Sequence, residues 1–527
     1  MANLGSIIKK VTGLAGVTFA SRVLGFFREI LTAHFLGGGS VAAAWEFAFT
    51  LPNLCRRVFG EGLLAQVLVP VVTHAAENEG KEAARKKFST IFFYSGISLS
   101  LITILVSLAS MVLLEVKVWD QHWRLGLQIV PLVMPYSIFI CLVGICTALM
   151  NSLRSYVLPA LASLLLNVFL VITLLFIVPQ FTGKTAAWGE FAILQDHTKI
   201  LSSLSIAVLL SGIAELVLLF LMMKKAGMMP VFPKAVIKDK GTVREIVLLI
   251  LPGLAGALTY QLGVICDRSM AMMVGDYALP ALNYSERLTY LPIGVIAVSF
   301  GTVSLTEMSV LAAKGEYCAM KDMLKKAMDL LLFLTIPLAA FVFITADDLI
   351  RFCFMRGKFG ETEAVHAALA LKYYAWGIPA FAAMKLSLAA FYSRKETKTP
   401  MLAAICCIVL NILLNFILMH PLKQGGIALA TVICSYINNL ILLFLFSRNI
   451  QSGLLKETAK TTGKFLLLSV PALLAVYYTA PFVKELPLFF VLGIKSILFG
   501  MVFLVFALLF RIEEVKSVLK KVRNRKK

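Results

Sequence analysis

Charged residues are scarce in this chain. Only 15% of its 527 residues are Asp, Glu, Lys or Arg, and 59% are hydrophobic, whereas about 25% of an ordinary soluble domain is charged. The connecting segments are short, and no linker rich in Pro, Gly and Ser marks off a water-soluble domain. The longest of them, residues 179–199 and 224–244, are too short to bury a core of their own. The composition therefore excludes an ordinary soluble protein.

The sequence also lacks the motifs of common enzymes. It has no HExxH, no GxSxG and no Walker loop, and its six histidines are scattered. The pair Asp347-Asp348 is half of a diphosphate–metal motif at most, and at the end of an apolar run such a pair is more typical of a helix terminus. We therefore predict no catalytic residue, no metal site and no organic cofactor.

Long apolar runs are what the sequence has in abundance. Runs of about 20 residues recur from end to end, and each can cross a hydrocarbon core of about 30 Å as a helix. We predict an all-α polytopic membrane protein with about 14 transmembrane helices. Spans 1 to 14 are predicted near residues 11–33, 42–73, 89–114, 126–150, 156–179, 200–223, 246–273, 278–309, 327–346, 364–392, 400–419, 426–447, 465–482 and 488–510.

The positive charges are distributed unevenly between the two sides of these spans. The formal net charge is +21, and most Lys and Arg residues fall on the cytoplasmic side if the N-terminus is cytoplasmic. This asymmetry is the positive-inside pattern, and it predicts that both termini are cytoplasmic. Because the excess charge is a topology signal, nucleic acid is not an expected partner.

The two halves of the chain share a weak repeat. An offset of 240 residues places Arg28 on Arg268 and Glu46 on Glu286. Six spans separate the copies, and an even number keeps both in the same orientation. We predict two parallel six-helix lobes, as in several transporter folds, followed by two additional helices. The predicted domains are residues 1–225, 226–450 and 451–527.

Charged side chains inside the membrane concentrate in spans 1, 2, 7 and 8. A charge at mid-bilayer costs about 2.5 to 3.5 kcal/mol on an insertion scale, so it normally faces a cavity or a partner. Arginine remains charged, and its planar fork binds phosphate through two hydrogen bonds. Six arginines against five acidic residues predict a central cationic cavity for a phosphate or pyrophosphate. The set comprises Arg22, Arg28, Glu29, Glu46, Arg56, Arg57, Glu61, Asp267, Arg268, Glu286 and Arg287.

Two further interpretations of the internal polar residues remain open. Salt bridges such as Arg22 with Glu29 account for part of the charged set. A second polar group suits a sodium ion, which prefers oxygen ligands, although hydrogen bonds between helices are the more common role of Asn and Thr. The sodium candidates are Asp267, Asn411, Asn415 and Thr431.

Five segments of the chain resemble the signature sequences of one family. They are SRVLGFFRE at 21–29, LPNLCRRVFGEG at 51–62, YSERLTYLPIGVIAVSFGT at 284–302, GKF at 357–359 and YSRKETKTP at 392–400. These segments are similar to those of the MurJ (MviN) lipid II flippases, which belong to the multidrug/oligosaccharidyl-lipid/polysaccharide exporter superfamily. The resemblance runs in order from about residue 5 to 450, while spans 13 and 14 match only in hydropathy and placement.

The resemblance implies a fold and a site. Two six-helix lobes would surround a central cavity, and spans 13 and 14 would form a groove for a long lipid tail. It implies that substrate contacts come from Arg22, Arg28, Arg56 and Arg287 with Glu61, whereas the helix-face pattern favours Arg57 over Arg56. Supporting cavity charges are Glu29, Glu46, Arg268 and Glu286, and the sodium candidates are similar to a proposed sodium site in the family.

The resemblance also implies a function and its setting. We expect a lipid II flippase that works by alternating access as a monomer in the bacterial cytoplasmic (inner) membrane. Its expected partners are lipid II, membrane lipids and the cell-wall synthesis machinery, and its energy source is a sodium ion or the membrane potential. The alternatives are a flippase for another polyprenyl-linked glycan, a cation-coupled drug exporter, a polyprenyl-phosphate enzyme and a membrane scaffold for cell-wall enzymes.

Overall fold

The secondary structure is almost entirely helical in the part of the chain that the computed structural model describes. The described residues are 4–60, 68, 72, 75, 78–116, 119–152, 155, 157–181, 197–231, 261–394, 396–449 and 453–510, and no strand occurs among them. An all-α fold is the expected result for these apolar runs, because only a helix satisfies every backbone hydrogen bond within a single segment in lipid.

The helices of the first half follow the predicted spans. α3 is the longest described helix of this half, and α6 continues through a π-helical turn at Thr173–Ile177 to Phe181. The bounds are α1 Leu4–Leu36, α2 Ser40–Cys55, α3 Lys81–Leu114, α4 Gln121–Val133, α5 Tyr136–Ser152, α6 Val157–Ile172, α7 His197–Ala226 and α8 261–274.

The helices of the second half are joined by short connections. α11 is a short helix between two long ones, and the others have the length of a membrane span. The bounds are α9 Ala278–Ala313, α10 Tyr317–Ile344, α11 Ala346–Phe354, α12 Glu361–Tyr392, α13 Lys398–Leu422, α14 Gln424–Asn449, α15 Leu454–Val483 and α16 Leu488–Leu509.

Several of these helices meet the requirements of a membrane span. Among the described residues, eight are long and apolar enough to cross a membrane, and the pair Gln121–Val133 and Tyr136–Asn151, bent by 50°, would make a ninth. The prediction of a polytopic helical membrane protein is therefore confirmed. Each predicted span overlaps a described helix, but the number 14 stays a prediction.

The chain divides into two compact units. Unit 1 is Met1–Met272 with Arg356–Gly360, and unit 2 is Met273–Met355 with Glu361–Lys527. The three predicted domains stay predictions.

Unit 1 is held together by close packing of apolar helices. α2 packs against α4, and α7 packs against α5 and α6. Trp45 stacks on Phe49 with 5.2 Å between ring centroids, and Tyr136 is fully buried beside them. Because lipid tails are as apolar as these side chains, shape-complementary packing rather than the hydrophobic effect holds the helices together.

A short segment of the second half of the sequence belongs to unit 1. Residues Arg356–Gly360 lie against the end of α1, where the Lys358 amide donates a 2.9 Å hydrogen bond to the His34 carbonyl. Gly357 has a φ of +60°, and a Cβ atom there would lie 2.5 Å from the same carbonyl oxygen. Only glycine fits this conformation and this approach. The GKF motif therefore has a local structural role.

Unit 2 contains its own interlocked helices. α9 packs against α12, α12 against α10 and α14, and α15 against α10 and α16. The Ser285 hydroxyl donates a 2.6 Å hydrogen bond to the Ala367 carbonyl, which joins α9 to α12. The neighbouring residues Glu286 and Arg287 are thereby fixed on α9.

The acidic pair Asp347-Asp348 lies in the first turn of α11, as expected of a helix terminus. Acidic side chains stabilise this end of a helix because the exposed amide groups carry partial positive charge. Each carboxylate also contacts a lysine: Lys372 Nζ lies 2.6 Å from Asp347, and Lys495 Nζ lies 2.5 Å from Asp348. The pair therefore anchors α12 and α16 to α11.

Candidate functional site

Arg28 is the most firmly positioned arginine of span 1. Its Nη1 atom donates a 3.0 Å hydrogen bond to Asn167 Oδ1 on α6, and its Nη2 atom donates to the carboxylate of Glu29. The Arg28 side chain is 13% exposed, and that of Glu29 is 5% exposed. The guanidinium is thus held in place while part of it stays accessible. Asn167 was not among the predicted site residues.

Arg56 begins a π-helical turn, Arg56–Gly60, that continues α2. Such turns are often found at functional sites. The turn lies against α5: a Cβ atom on Gly144 would be only 2.4 Å from the Gly60 carbonyl oxygen. Gly144 therefore permits a backbone contact that a larger residue at that position would not allow, and this contact positions the turn that carries Arg56.

The structure distinguishes Arg56 from Arg57 by burial. Arg56 is partly buried, whereas Arg57 is exposed, as is Arg22 on α1. Arg56 also interacts electrostatically with Tyr136 and with Glu215 in the interior of unit 1. Which of the two residues contacts a substrate stays a prediction. Glu61 lies outside the described residues.

Glu215 and Tyr136 form a polar pair in the apolar interior of unit 1. Glu215 is 1% exposed on α7, and Tyr136 is fully buried on α5. Within the described part of the chain, the Tyr136 hydroxyl and both carboxylate oxygens of Glu215 lack a partner of full hydrogen-bond geometry. The predicted site omitted both residues, although a lone carboxyl group in an apolar span is a default signal of function.

The charges of span 8 lie on one turn of α9 in unit 2. Glu286 is partly buried and accepts a 3.1 Å hydrogen bond from the Tyr374 hydroxyl on α12. Arg287, the next residue, is exposed. The carboxylate is therefore held against α12 while the guanidinium is left accessible.

Two further predicted supporting charges, Glu46 and Arg268, and the sodium candidate Asp267 belong to unit 1. Glu46 is partly buried on α2, and Asp267 and Arg268 are partly buried on α8. All three take part in polar or electrostatic contacts. They are placed inside helices, as the sequence predicted, and their part in a substrate site stays a prediction.

The sodium candidates fall into two groups. In unit 2, Asn415 Nδ2 donates a 3.2 Å hydrogen bond to Asn411 Oδ1, and both side chains are buried on α13. The Thr431 hydroxyl donates to the Ile427 carbonyl of its own helix, α14, which packs against α13. Asp267 belongs to unit 1. No cluster of three or more His, Cys, Asp or Glu side chains is placed to hold a metal ion among the described residues.

The fold and these internal charges define a class of protein. Apolar helices of spanning length, with charged side chains held inside them, are typical of polytopic membrane transporters. Residues 32–496 match the family model described as "Lipid II flippase MurJ", and the chain therefore belongs to this family. Its members are transporters and not enzymes.

Two relatives illustrate the similarity of sequence. The probable lipid II flippase MurJ of Rhizobium meliloti (strain 1021) is 28% identical over 444 residues, which are 83% of this chain and 80% of the relative. The protein of the same name from Buchnera aphidicola subsp. Baizongia pistaciae (strain Bp) is 27% identical over 504 residues, 92% of this chain and 94% of the relative.

Two solved structures share the fold. A lipid II flippase MurJ in an inward closed conformation matches with a TM-score of 0.75 and 21% identity over 95% of this chain and 99% of that one. An inward-facing multidrug resistance transporter of the MATE family, from the MOP superfamily, matches with a TM-score of 0.65 and 13% identity over 82% and 96%. These likenesses confirm the transporter fold predicted from the sequence.

Proposed function

We propose that this protein moves lipid II, an undecaprenyl-diphosphate-linked peptidoglycan precursor, from the cytoplasmic to the outer leaflet of the bacterial inner membrane. The observation that carries the proposal is the family match over residues 32–496, combined with arginines held inside apolar helices. Arg28 is the clearest of them, because Asn167 and Glu29 fix its guanidinium while part of it stays accessible.

The arginines are proposed to bind the diphosphate. Arg28 and Arg56 belong to unit 1 and Arg287 to unit 2. A guanidinium fork matches two phosphate oxygens at once, and its charge does not depend on pH. Arg22, Arg57 and Glu61 complete the proposed set. An exporter of cationic drugs would need acidic groups instead, so the arginines favour an anionic cargo.

The proposed function also assigns roles to the last two helices and to the two termini. The polyprenyl tail is proposed to lie along α15 and α16, whose outer faces carry large exposed apolar side chains such as Tyr477, Phe482 and Phe489. Both termini are proposed to be cytoplasmic, in keeping with the positive-inside pattern. We further propose that the protein acts as a monomer and contacts the cell-wall synthesis machinery.

The energy source is proposed to be the membrane potential or a sodium ion. Moving one charge through 100 mV is worth about 2.3 kcal/mol, which is enough to bias a charged carrier. The sodium site would use Asp267, Asn411, Asn415 and Thr431. Transport that does not change when sodium is replaced by choline at constant potential would exclude this site.

Leaflet accessibility of lipid II tests the proposed function directly. Cells depleted of the protein would be complemented with the wild type or with Arg28→Ala, Arg56→Ala or Arg287→Ala, and membrane levels of each would be checked. Arg28→Lys tests the guanidinium fork, because lysine keeps the charge but loses the planar geometry. Arg124→Ala, at an exposed position of α4, is the matched control.

We expect the wild type and the control to restore external lipid II and the three cavity variants to fail at normal abundance. If well-expressed arginine variants transport normally, the internal charges serve packing alone and a scaffold function gains support. If the wild type does not restore lipid II but restores another polyprenyl-linked glycan, the cargo has been misassigned.

A further inference from the structure

Glu215 is an isolated carboxyl group in the middle of an apolar helix. α7 has a window of mean hydropathy 2.5, and Glu215 lies at its inner face with 1% of its surface exposed. No other acidic residue occurs in α7. A carboxyl group is retained at such a position only if it is neutral or paired, because burying an isolated carboxylate is very unfavourable.

Among the residues that the structure describes, no cation forms an ion pair with Glu215. Neither oxygen has a partner of full hydrogen-bond geometry within the described part of the chain. The backbone amide of Leu166 on α6 acts on the carboxyl group from nearby but does not meet that geometry. One turn earlier, a Cβ atom on Gly212 would lie 2.8 Å from the ring of Tyr136. The two helices α5 and α7 are therefore in close contact one turn from Glu215.

Charged and titratable groups surround this position from several helices. Arg56 of the π-helical turn acts electrostatically on both Glu215 and Tyr136, and Arg28 and Cys141 act on Tyr136. On α4, which also packs against α7, the His122 ring is hydrogen-bonded to the Met272 carbonyl, and Arg124 is exposed. Arg56 is thus the cation that acts on Glu215 without a direct hydrogen bond to it.

We propose that Glu215 is a proton-binding site whose carboxyl group is protonated in the conformation described here. A neutral carboxyl group removes the main cost of burial, whereas a carboxylate would need Arg56 to approach and pair with it. Arg56 lies in the π-helical turn, and among the described residues neither oxygen of Glu215 has a partner of full hydrogen-bond geometry. The protonated state fits this arrangement, and the ionised state does not.

Proton binding at Glu215 also has a consequence for the arginine. A protonated Glu215 does not compete with an anionic ligand for the charge of Arg56, whereas an ionised Glu215 competes as its counter-ion. If the diphosphate binds Arg56, a step that rests on the proposed function, then proton and diphosphate binding strengthen each other by the same factor. The proton would then be a coupling ion of this transporter.

Infrared spectroscopy of the full-length purified protein tests the proton site without any substrate. A protonated buried carboxyl group has a carbonyl stretch that an ionised one lacks, and deuterium exchange shifts it. The wild type would be compared at neutral pH with Glu215→Gln, which mimics the neutral group, and with the control Glu115→Gln, at an exposed position after α3. We expect the band in the wild type and the control and its loss in Glu215→Gln. An identical carbonyl region in all three proteins would overturn the proposal.

Ligand binding tests the coupling separately. The affinity for farnesyl diphosphate, a soluble polyprenyl diphosphate, would be measured from mildly acidic to alkaline pH. Over this rise in pH we expect the affinity of the wild type to fall about five-fold or more further than that of Glu215→Gln. The comparison between the two proteins cancels the ionisation of the probe itself. Identical pH profiles would refute the coupling. Absence of binding in both proteins would count against the proposed function, while the infrared result would still decide the proton site.

Discussion

Arg28 Nη1 and Asn167 Oδ1, which are 139 residues apart in the sequence, form a 3.0 Å hydrogen bond that joins α1 to α6. Asn167 is 8% exposed, so its amide is largely shielded from solvent. It accepts from a cation in a medium of low dielectric, where such a bond is stronger than in water. The bond fixes the orientation of the guanidinium that we propose to bind the diphosphate.

Replacing Asn167 by Ala should therefore impair transport. The variant removes a hydrogen bond to a charged group, worth about 1.5 to 3 kcal/mol, and lets the Arg28 side chain move. We expect external lipid II to fall several-fold at unchanged protein abundance. The control is Gln180→Ala, an exposed amide near the end of the same helix that donates a 3.0 Å hydrogen bond to the Phe176 carbonyl of that helix. Equal transport by both variants would show that Asn167 does not position Arg28.

The sequence could predict where the charges lie along each helix, but it could not predict this contact. The hydrophobic runs predict the helices, and the arginines within them stand out because charged residues are scarce in this chain. Periodicity gives the face of a helix and not the rotamer of a long side chain, and residues at i and i+1 are not expected to face each other. Yet Glu29 pairs with the adjacent Arg28. Asn167 gave no signal, because one Asn in an apolar span is common.

Glu215 is the opposite case. The sequence shows the isolated carboxyl group, but it does not predict which side chains surround it. The lone carboxyl group could be recognised in span 6, but only the packing of α5 against α7 shows that Tyr136 lies near it. For Arg56 and Arg57 the sequence gave conflicting predictions, because the helix-face pattern favoured Arg57 and the family resemblance favoured Arg56. The π-helical turn separates them, and no pattern in the sequence predicts a turn that depends on the approach of Gly60 to Gly144.

Replacing Gly144 by Ala should displace the turn that carries Arg56. The added Cβ would lie 2.4 Å from the oxygen and 2.7 Å from the Cα of Gly60, which are backbone atoms that cannot rotate away. Overpacking of this kind costs about 1 to 3 kcal/mol. We expect a lower melting temperature in detergent and a loss of transport.

The matched control is Gly96→Ala on α3. There the nearest atom to an added Cβ is Leu142 Cδ2 at 4.0 Å, an ordinary contact, and alanine favours a helix over glycine by about 1 kcal/mol. We expect unchanged or slightly higher thermal stability. If both alanine variants melted like the wild type, the close approach of the two glycines would not constrain the turn.

The two lysine–aspartate pairs at α11 should differ in strength. The Lys495–Asp348 pair is largely buried, with side chains 11% and 22% exposed, whereas those of Lys372 and Asp347 are 37% and 44% exposed. A double-mutant cycle with Lys495→Ala and Asp348→Ala should give a coupling energy of about 0.5 to 3 kcal/mol. The exposed pair should give about 0 to 1 kcal/mol, with a further decrease in high salt. Equal coupling energies, measured by thermal unfolding, would contradict this ranking.

The contact between the segment Arg356–Gly360 and α1 should depend on pH through Lys358. Burial lowers the pKa of the Lys358 ammonium from 10.5 to about 8. Below pH 8 the lysine is charged in the docked and the undocked segment, so docking is opposed by the burial of that charge. Between pH 8 and 10.5 only the docked lysine loses its proton, and docking therefore becomes more favourable as the pH rises.

Hydrogen exchange of the Lys358 amide, which is bonded to the His34 carbonyl, measures this docking. Its protection, corrected for the intrinsic exchange rate, would be compared in the wild type and in Lys358→Met, which cannot titrate. We expect the methionine variant to be more protected below pH 8 and the difference to shrink toward pH 10, because the wild-type lysine is then neutral as well. A difference that stayed constant with pH would show that the ammonium is not buried on docking. A more protected wild type would mean that the charge itself stabilises the contact.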